Sequence, residues 1–375
     1  MEFTEQLKDL ARNRDYYERV SPNTWCDCQR IRQVKIQGDY PEIMPECTVL
    51  IRTYKRPEIV KRAIDSVLNQ DGYNDYIIVV VDSDYNDLNV ETETQRSIES
   101  YNNNKILYFR YDRPRPIYCN KMNAAANLVK TKFFVFLNDD DVLHRMHLKI
   151  MLRVMKSHPH IDALMCSQIW LRESLNESIS CDLMEDESLC RSVGIGETIM
   201  SLRNNTTGVV YKTDFYRSFG GLIERNHGGG DVIMANRCSF FGNQYWLNAR
   251  LHGIYISASK SQASRDLESY YRSFYIGYFW RLKSIQKCFG LSFFVSDAIA
   301  QRKLHKSVEG LYESWGDERF SEDRMFELIG KIPWQRKNPI IKKFYNAIGR
   351  IWDKYIDYTV KQSEEKGFYV KLTDI

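Results

Sequence analysis

Four short polar clusters in the first 141 residues carry side chains that handle charge. Thr53-Tyr54-Lys55-Arg56 follows CTVLIR and Asp82-Ser83-Asp84 follows YIIVVV, while Tyr111-Asp112-Arg113 follows KILYFR and Asn138-Asp139-Asp140-Asp141 follows KFFVFL. A lone Asp after a strand commonly caps the next helix or turn, and for Asp82 or Asp112 alone that reading stands level with a functional one. Three acids in succession repel one another, and one cap needs one carboxylate. The run 139–141 therefore points to a bound cation or polar ligand. Carboxylate oxygens suit a hard divalent ion, Mg2+ or Mn2+, which keeps coordination positions open for substrate phosphates. His144-x-x-His147 comes next in the chain and reads as two solvated histidines on one helix face, with no third ligand spaced to make them a metal pair.

These clusters can act together only if their strands lie side by side and end at one rim. The pattern between them supports that. Pro57 opens a helical run with Ile59, Val60, Ala63, Ile64, Val67 and Leu68 on one face, and 118–130 is a small-residue helix around Ala124, Ala125 and Ala126. YIIVVV is apolar throughout, as a strand covered on both faces must be. Strand and helix alternate, so the expected class is α/β: an open, mostly parallel twisted sheet flanked by helices, with ligands beyond the carboxyl ends of its strands. Residues 1–46 read as a helical arm (Leu7, Leu10, Ala11 on one face) that continues irregularly to PEIMPE. Residues 162–171 and 206–211 read as strands, Leu171 to Cys190 as an acidic loop, and FGGLIERNHGGGD as a glycine-rich loop entering a helix. From about 261 to 375 the pattern is helical and aromatic. Three units are expected: 1–46, 47–260 and 261–375.

Composition narrows the function. The chain has 375 residues, 53 Lys+Arg against 49 Asp+Glu, and a net charge of +4, which is too mild for a nucleic-acid partner. The excess belongs to the tail, where 331–375 holds ten Lys/Arg and five Asp/Glu. No run approaches the roughly 18 apolar residues of a membrane span, and the charged start argues against export. The expected address is the cytoplasm or the inner face of the cell membrane, and the nine cysteines then read as buried reduced thiols. GxxxxGK[ST], GxGxxG and GxSxG are all missing, so phosphate handling falls to a metal held on acids.

With these residues in view, the chain resembles glycosyltransferase family 2, whose fold is the GT-A type. The resemblance rests on TVLIRTYKRPEIVKRAIDSVLNQ, IIVVVDSDYND, NAAANLVKTKFFVFLNDDD and FGGLIERNHGGGDVIMANRCSFFG, in the family's order. It implies inverting transfer of a sugar from a nucleoside diphosphate sugar, UDP-sugar by default, to a hydroxyl of a glycan or lipid-linked acceptor. The same resemblance implies roles for single residues. Thr53 and Tyr54 line the nucleobase and ribose pocket, Asp82 bonds the base, and Arg56 and Asp84 bind the nucleotide-sugar. Asp140 ligates the metal, Asp139 and Asn138 lie near the ribose or metal, Asn123 binds the nucleotide-sugar, Lys121 lies near the diphosphate, and Asp231 is the general base. Three positions depart from the family pattern: Asn138 stands for the first acid of its DXD element, Met122 for a basic residue and Gly230 for a Glu. A late metal-binding His is also not evident in SASKSQASR.

Two other functions compete. A nucleotidylyltransferase should carry a Gly-rich, Arg-containing loop where TYKRPE stands. A non-catalytic binding relative is suggested by Asn138 and Gly230. In the tail, Ile341, Phe344, Ile348, Ile351 and Tyr355 share one helix face, with Lys342, Lys343, Arg350 and Lys354 off it. That segment, 341–355, can either pack on the catalytic domain or lie on an anionic membrane.

Overall fold

A computed structural model describes residues 33–84, 88–111, 118–172, 179, 185–200, 205–222, 230–256, 267–315 and 338–372. The helix expected around Leu7 to Ala11, Asp112 with Arg113, and the segment 257–265 lie outside the described residues.

Four parallel strands form the first half of the sheet: β2 (Cys47–Thr53), β3 (Tyr76–Asp82), β4 (Ile106–Tyr111) and β5 (Phe133–Asn138). They lie in the spatial order β4-β3-β2-β5. Their runs are mainly apolar because both faces are covered, and the period of two decides which face each residue meets. Val49, Ile51, Ile78, Val80, Val135 and Leu137 pack with α1 (Pro57–Leu68) and α4 (His147–Ser157). Leu50, Val79, Val81, Phe134 and Phe136 pack on the other side with α3 (Tyr118–Ala126), α6 (Thr213–Ser218) and α7 (Gly230–Phe241). Pro57 at the first turn of α1 fixes the backbone for helix entry. Thr92 caps α2 (Glu93–Glu99) by accepting from the Gln95 amide.

Register sets the rim. Thr53 pairs with Asp82 across β2 and β3, and Arg52 pairs with Asn138 across β2 and β5. The carboxyl ends of three neighbouring strands therefore finish level, roughly 5 Å apart per strand.

The second half is mixed. β9 (Val210–Lys212) runs antiparallel between β5 and β7 (Ala163–Arg172), and the long β10 (Gln244–Ile256) lies parallel to β7. β6 (Asp141–Leu143) and β8 (Glu187–Ser192) both pair with β10. The segment 187–190, read as acidic loop, is thus strand: Leu189 and Cys190 face neighbouring strands while the acids stay outside. Gln33–Gln37, expected to be irregular, forms edge strand β1 on β4; its polar alternation suits an edge and hides the strand from a search for apolar runs.

The C-terminal region contains α8 (Leu267–Phe289), α9 (Phe293–Trp315) and α10 (Pro339–Glu365). With α5 (Ile195–Ile199) and α7 they bury a third core around Ile199, Ile233, Trp280, Ile299 and Trp352. The chain then returns to the sheet as β11 (Phe368–Lys371), antiparallel to β8. Cys47, Cys166, Cys190 and Cys238 are buried thiols, as expected. Burial pushes the Cys166 and Cys190 thiols up to about 12.

Candidate active site

β2 ends in a tight turn. Lys55 takes φ +54, a left-handed conformation uncommon for a residue with a Cβ. Arg56, which precedes Pro57, sits at φ −135 and ψ 62, because proline keeps its neighbour out of the helical region. The turn leaves Tyr54 exposed and sends the Arg56 side chain back toward the end of β5. There Arg56 Nη1 lies 3.1 Å from Asp139 Oδ1 and 3.2 Å from Asp140 Oδ2. Thr53 Oγ1 donates to Asp139 Oδ2 at 2.9 Å.

The acids crowd one another. Burial holds the Asp140 carboxyl above its ordinary range, the charges of Asp141 and Asp139 add to this, and Arg56 opposes it. Asn138 turns inward: its Oδ1 accepts from Arg52 at 2.8 Å and its Nδ2 donates to Asp141 Oδ2 at 3.2 Å. An aspartate here would set a second carboxylate against Asp141. The amide instead ties β5 to β2 and to β6.

Asp82, beside Thr53, is fully buried. Its Oδ1 accepts the Asp84 amide and its Oδ2 the Tyr108 hydroxyl, both at 2.8 Å. Burial pushes its carboxyl up to about 6 against those two hydrogen bonds, which lower it. Asp84 is also buried, and its carbonyl accepts from Arg110 Nε at 3.2 Å.

Asn123, expected in the nucleotide-sugar site, spends its amide on the glycine-rich loop and on Tyr216 of α6. Oδ1 accepts from the Leu222 amide and the Tyr216 hydroxyl, both at 3.0 Å, and Nδ2 donates to the Leu222 carbonyl at 2.6 Å. Gly221 (φ +59) makes that approach possible, since a Cβ there would stand 2.5 Å from Asn123 Oδ1. Arg237 of α7 donates to the Gly221 carbonyl at 3.3 Å. Asp231 is the second residue of α7, so the loop bolted by Asn123 leads to the helix that carries it. The side chains of Lys121 and Asp231 lie outside the described residues.

The histidines are not solvated. His144 precedes α4 and accepts the Met146 amide on Nδ1 at 3.2 Å, while His147 opens the helix; both are buried. His147 Nε2 bonds the Gly208 carbonyl at 2.9 Å, and burial drives this imidazole down to about 3, keeping it neutral. Helical spacing placed the pair on one face but could not show that β9 and β10 cover it.

His252 escaped sequence reading. It lies in β10, where Gly208 (φ +68) lets its ring in: a Cβ at 208 would stand 2.6 Å from His252 Cγ. Gln168 Nε2 lies 3.1 Å from the Nδ1 of this ring, whose other nitrogen is Nε2. That nitrogen faces Asp141 Oδ2 at 3.2 Å. The only sequence signal is one His inside a strand-like run, NARLHGIYI.

Among the described residues no three His, Cys, Asp or Glu side chains converge as a metal cage. Asp139 and Asp140 nevertheless offer hard oxygen donors at a crowded anionic turn. Two carboxylates with the remaining positions left to phosphate oxygens are the usual arrangement for Mg2+ beside a nucleotide, so the residues present fit such an ion. The model of the family described as glycosyl transferase family 2 matches residues 48–177, the segment that builds this rim. Over this segment the chain is similar to glycosyl transferase family 2.

The crystal structure of S. aureus TarS 1-349 shares the arrangement: 13% identity, TM-score 0.52, covering 84% of this chain and 91% of that one. The same protein in complex with UDP-GlcNAc matches at 14% identity and TM-score 0.53, covering 84% and 92%. Its complex with UDP gives 14% and 0.51, covering 84% and 91%. At these identities the likeness shows the fold. The family 2 segment supplies β2 to β7, and the matched fold continues well beyond it.

Proposed function

We propose that the chain is an inverting glycosyltransferase that moves a sugar from a nucleoside diphosphate sugar, by default a UDP-sugar, to a hydroxyl of a glycan or lipid-linked acceptor in surface polysaccharide or glycolipid synthesis. One observation carries the reading: within the family 2 segment, register sets Asp82 beside Thr53 and Asn138 beside Arg52, so base-side and phosphate-side groups share one rim. TarS, which has this fold, was crystallised with UDP-GlcNAc, and that supports a uridine nucleotide here.

The residues divide the work by position. Thr53, Tyr54, Asp82 and Asp84 sit at the ends of β2 and β3 and hold the nucleoside, with Tyr54 open to a ring. Arg56 and Lys121 meet the diphosphate, whose charge grows as the sugar leaves. Asp140, with Asp139, would hold Mn2+ or Mg2+, which when bound offsets that charge. The acceptor hydroxyl is a poor nucleophile near neutral pH. Asp231, entering α7 from the glycine-rich loop, takes its proton, a contribution of roughly 10²–10⁴-fold. The anomeric carbon gathers oxocarbenium character between them.

Donor hydrolysis tests this reading. Slow, Mn2+- or Mg2+-stimulated release of UDP from a UDP-sugar, lost in Asp140→Asn, is the expected result. No release and no nucleotide binding would make the chain a binding relative instead.

The tail supports peripheral membrane contact through 341–355. Packing accounts for one stripe of α10, in which Tyr345, Gly349, Trp352 and Ile356 are buried. A second stripe (Phe344, Ile351, Tyr355, Tyr358) is exposed next to Lys343, Arg350 and Lys354. No described helix is long and apolar enough to cross a membrane. Replacing those three basic residues with Gln should weaken sedimentation with phosphatidylserine vesicles, at about 1 kcal/mol per charge; unchanged sedimentation would remove the membrane contact.

A further inference from the structure

The acidic turn already carries a cation of its own. One guanidinium nitrogen of Arg56 bridges Asp139 Oδ1 and Asp140 Oδ2 at 3.1 and 3.2 Å, and Thr53 occupies the other oxygen of Asp139 at 2.9 Å. The backbone enforces this placement, through left-handed Lys55 on one side and Pro57 on the other. Arg56 is three-quarters buried at its side chain, and Asp139 more so. This is a seated ion pair at the bottom of the rim rather than a surface contact.

A guanidinium and a divalent ion want the same carboxylate oxygens. Resting on the transferase reading above, we propose that Arg56 is the resident counter-ion of the Asp139–Asp140 pair and competes with the divalent ion for it, giving way when a diphosphate offers the guanidinium new oxygen partners. Without nucleotide, an ion that takes Asp139 and Asp140 displaces Arg56 from these two carboxylates, with no phosphate to receive it. With a diphosphate present, Arg56 gains a bidentate anion of the kind its fork fits, and the carboxylates open. Ion and nucleotide thereby help each other bind, by the same factor in either order.

Removing Arg56 should separate the two events. Asp139, Asp140 and Asp141 would then lack this counter-charge, so their demand for a cation rises even when no nucleotide is present. The experiment is a Mn2+ titration of the full chain by calorimetry and by thermal melting, with and without UDP or GDP, in wild type, Arg56→Gln and Arg56→Lys. Arg56→Gln is expected to bind Mn2+ alone about tenfold more tightly than wild type, within the usual span of such couplings, and to gain more melting temperature from it. The enhancement of Mn2+ binding by UDP should shrink by the same factor. Arg56→Lys, which keeps the charge but loses the fork, should fall between and serves if the Gln variant does not fold. Asp140→Asn added to Arg56→Gln should abolish the gain.

Mn2+ binding to the Arg56 variants no tighter than to wild type overturns the proposal. Failure of the transferase reading looks different: neither UDP nor GDP binds any variant, while the Mn2+-alone comparison still reads the competition at the acidic turn.

Discussion

The two halves of the sheet are held by different means. From β4 to β5 the strands are parallel, apolar on both faces and aligned by register, and the rim follows from that alignment. From β9 to β11 the strands are mixed in direction and tied to their surroundings by buried polar contacts, some local and some between residues far apart in sequence. Arg191 of β8 grips Glu197 of α5 with two bonds of 2.9 and 2.7 Å, both side chains buried. Asn123 bolts the Leu222 loop, His147 the Gly208 turn, and His252 faces Asp141. A half built on apolar rows spreads its stability over many side chains. A half built on polar bolts concentrates it, because a lost partner leaves another group buried and unpaired.

The contrast can be broken at several points. Chemistry should respond most. Asp231→Asn and Asp140→Asn are each expected to lower the transfer rate by about 10²-fold or more with little change in melting temperature, one from each half; a near-normal rate in either removes that residue from its role. Next comes Arg191→Met, which strands Glu197 in the interior. The expected loss is about 3–5 kcal/mol in urea unfolding, and a loss below about 1 kcal/mol would mean the pair is not a bolt. Asn123→Ala removes two hydrogen bonds to the loop before α7 and one to Tyr216 of α6. About 2–3 kcal/mol should be lost, together with acceptor-dependent turnover, while UDP binding persists.

The smallest effect sharpens the comparison by reversing its sign. Asp82 is a polar group buried in the apolar half, and its carboxyl is pushed up to about 6 in the folded state from 3.8. Between those values the folded protein holds a proton the unfolded chain has released, so stability falls as pH rises from about 4 to about 6 and then levels. Asp82→Asn should flatten that profile and raise stability at pH 7 by on the order of 2 kcal/mol, while weakening donor binding. If the variant is no more stable at pH 7 than wild type, burial of Asp82 is not what the apolar half tolerates for the sake of its ligand.

Legibility in the sequence follows the same division. β2 to β5, α1 and α3 announce themselves through apolar period and punctuation, and the acidic turn through three adjacent carboxylates. These are local signals. The bridge from Arg56 to Asp139 and Asp140 spans 83 and 84 residues, and the contact of His252 with Asp141 joins β6 to β10, which are far apart in the chain; no spacing rule reaches that far. Asn138 shows the limit most clearly. Its position in the motif was visible as a departure, but the reason for an amide, a donor for Asp141 and an acceptor for Arg52, exists only once β2, β5 and β6 meet. His144 and His147 failed for the same cause, since the strands that cover them come later in the chain. β1 and β11 are short and half-polar, which suits sheet edges and defeats pattern reading.

The strand at the far edge has a consequence for how the molecule is made. β8 leaves the ribosome some 180 residues before β11, its antiparallel neighbour. Throughout that interval the backbone groups of Glu187 to Cys190 that will face β11 have only water to satisfy them, and an open edge of this kind can recruit a strand from another nascent chain. The last element synthesised among those described therefore covers the edge of β8 and becomes, as a short half-polar strand, the outermost one itself. Growth conditions that slow release of the finished polypeptide should favour clumping of partly built molecules over loss of activity in completed ones.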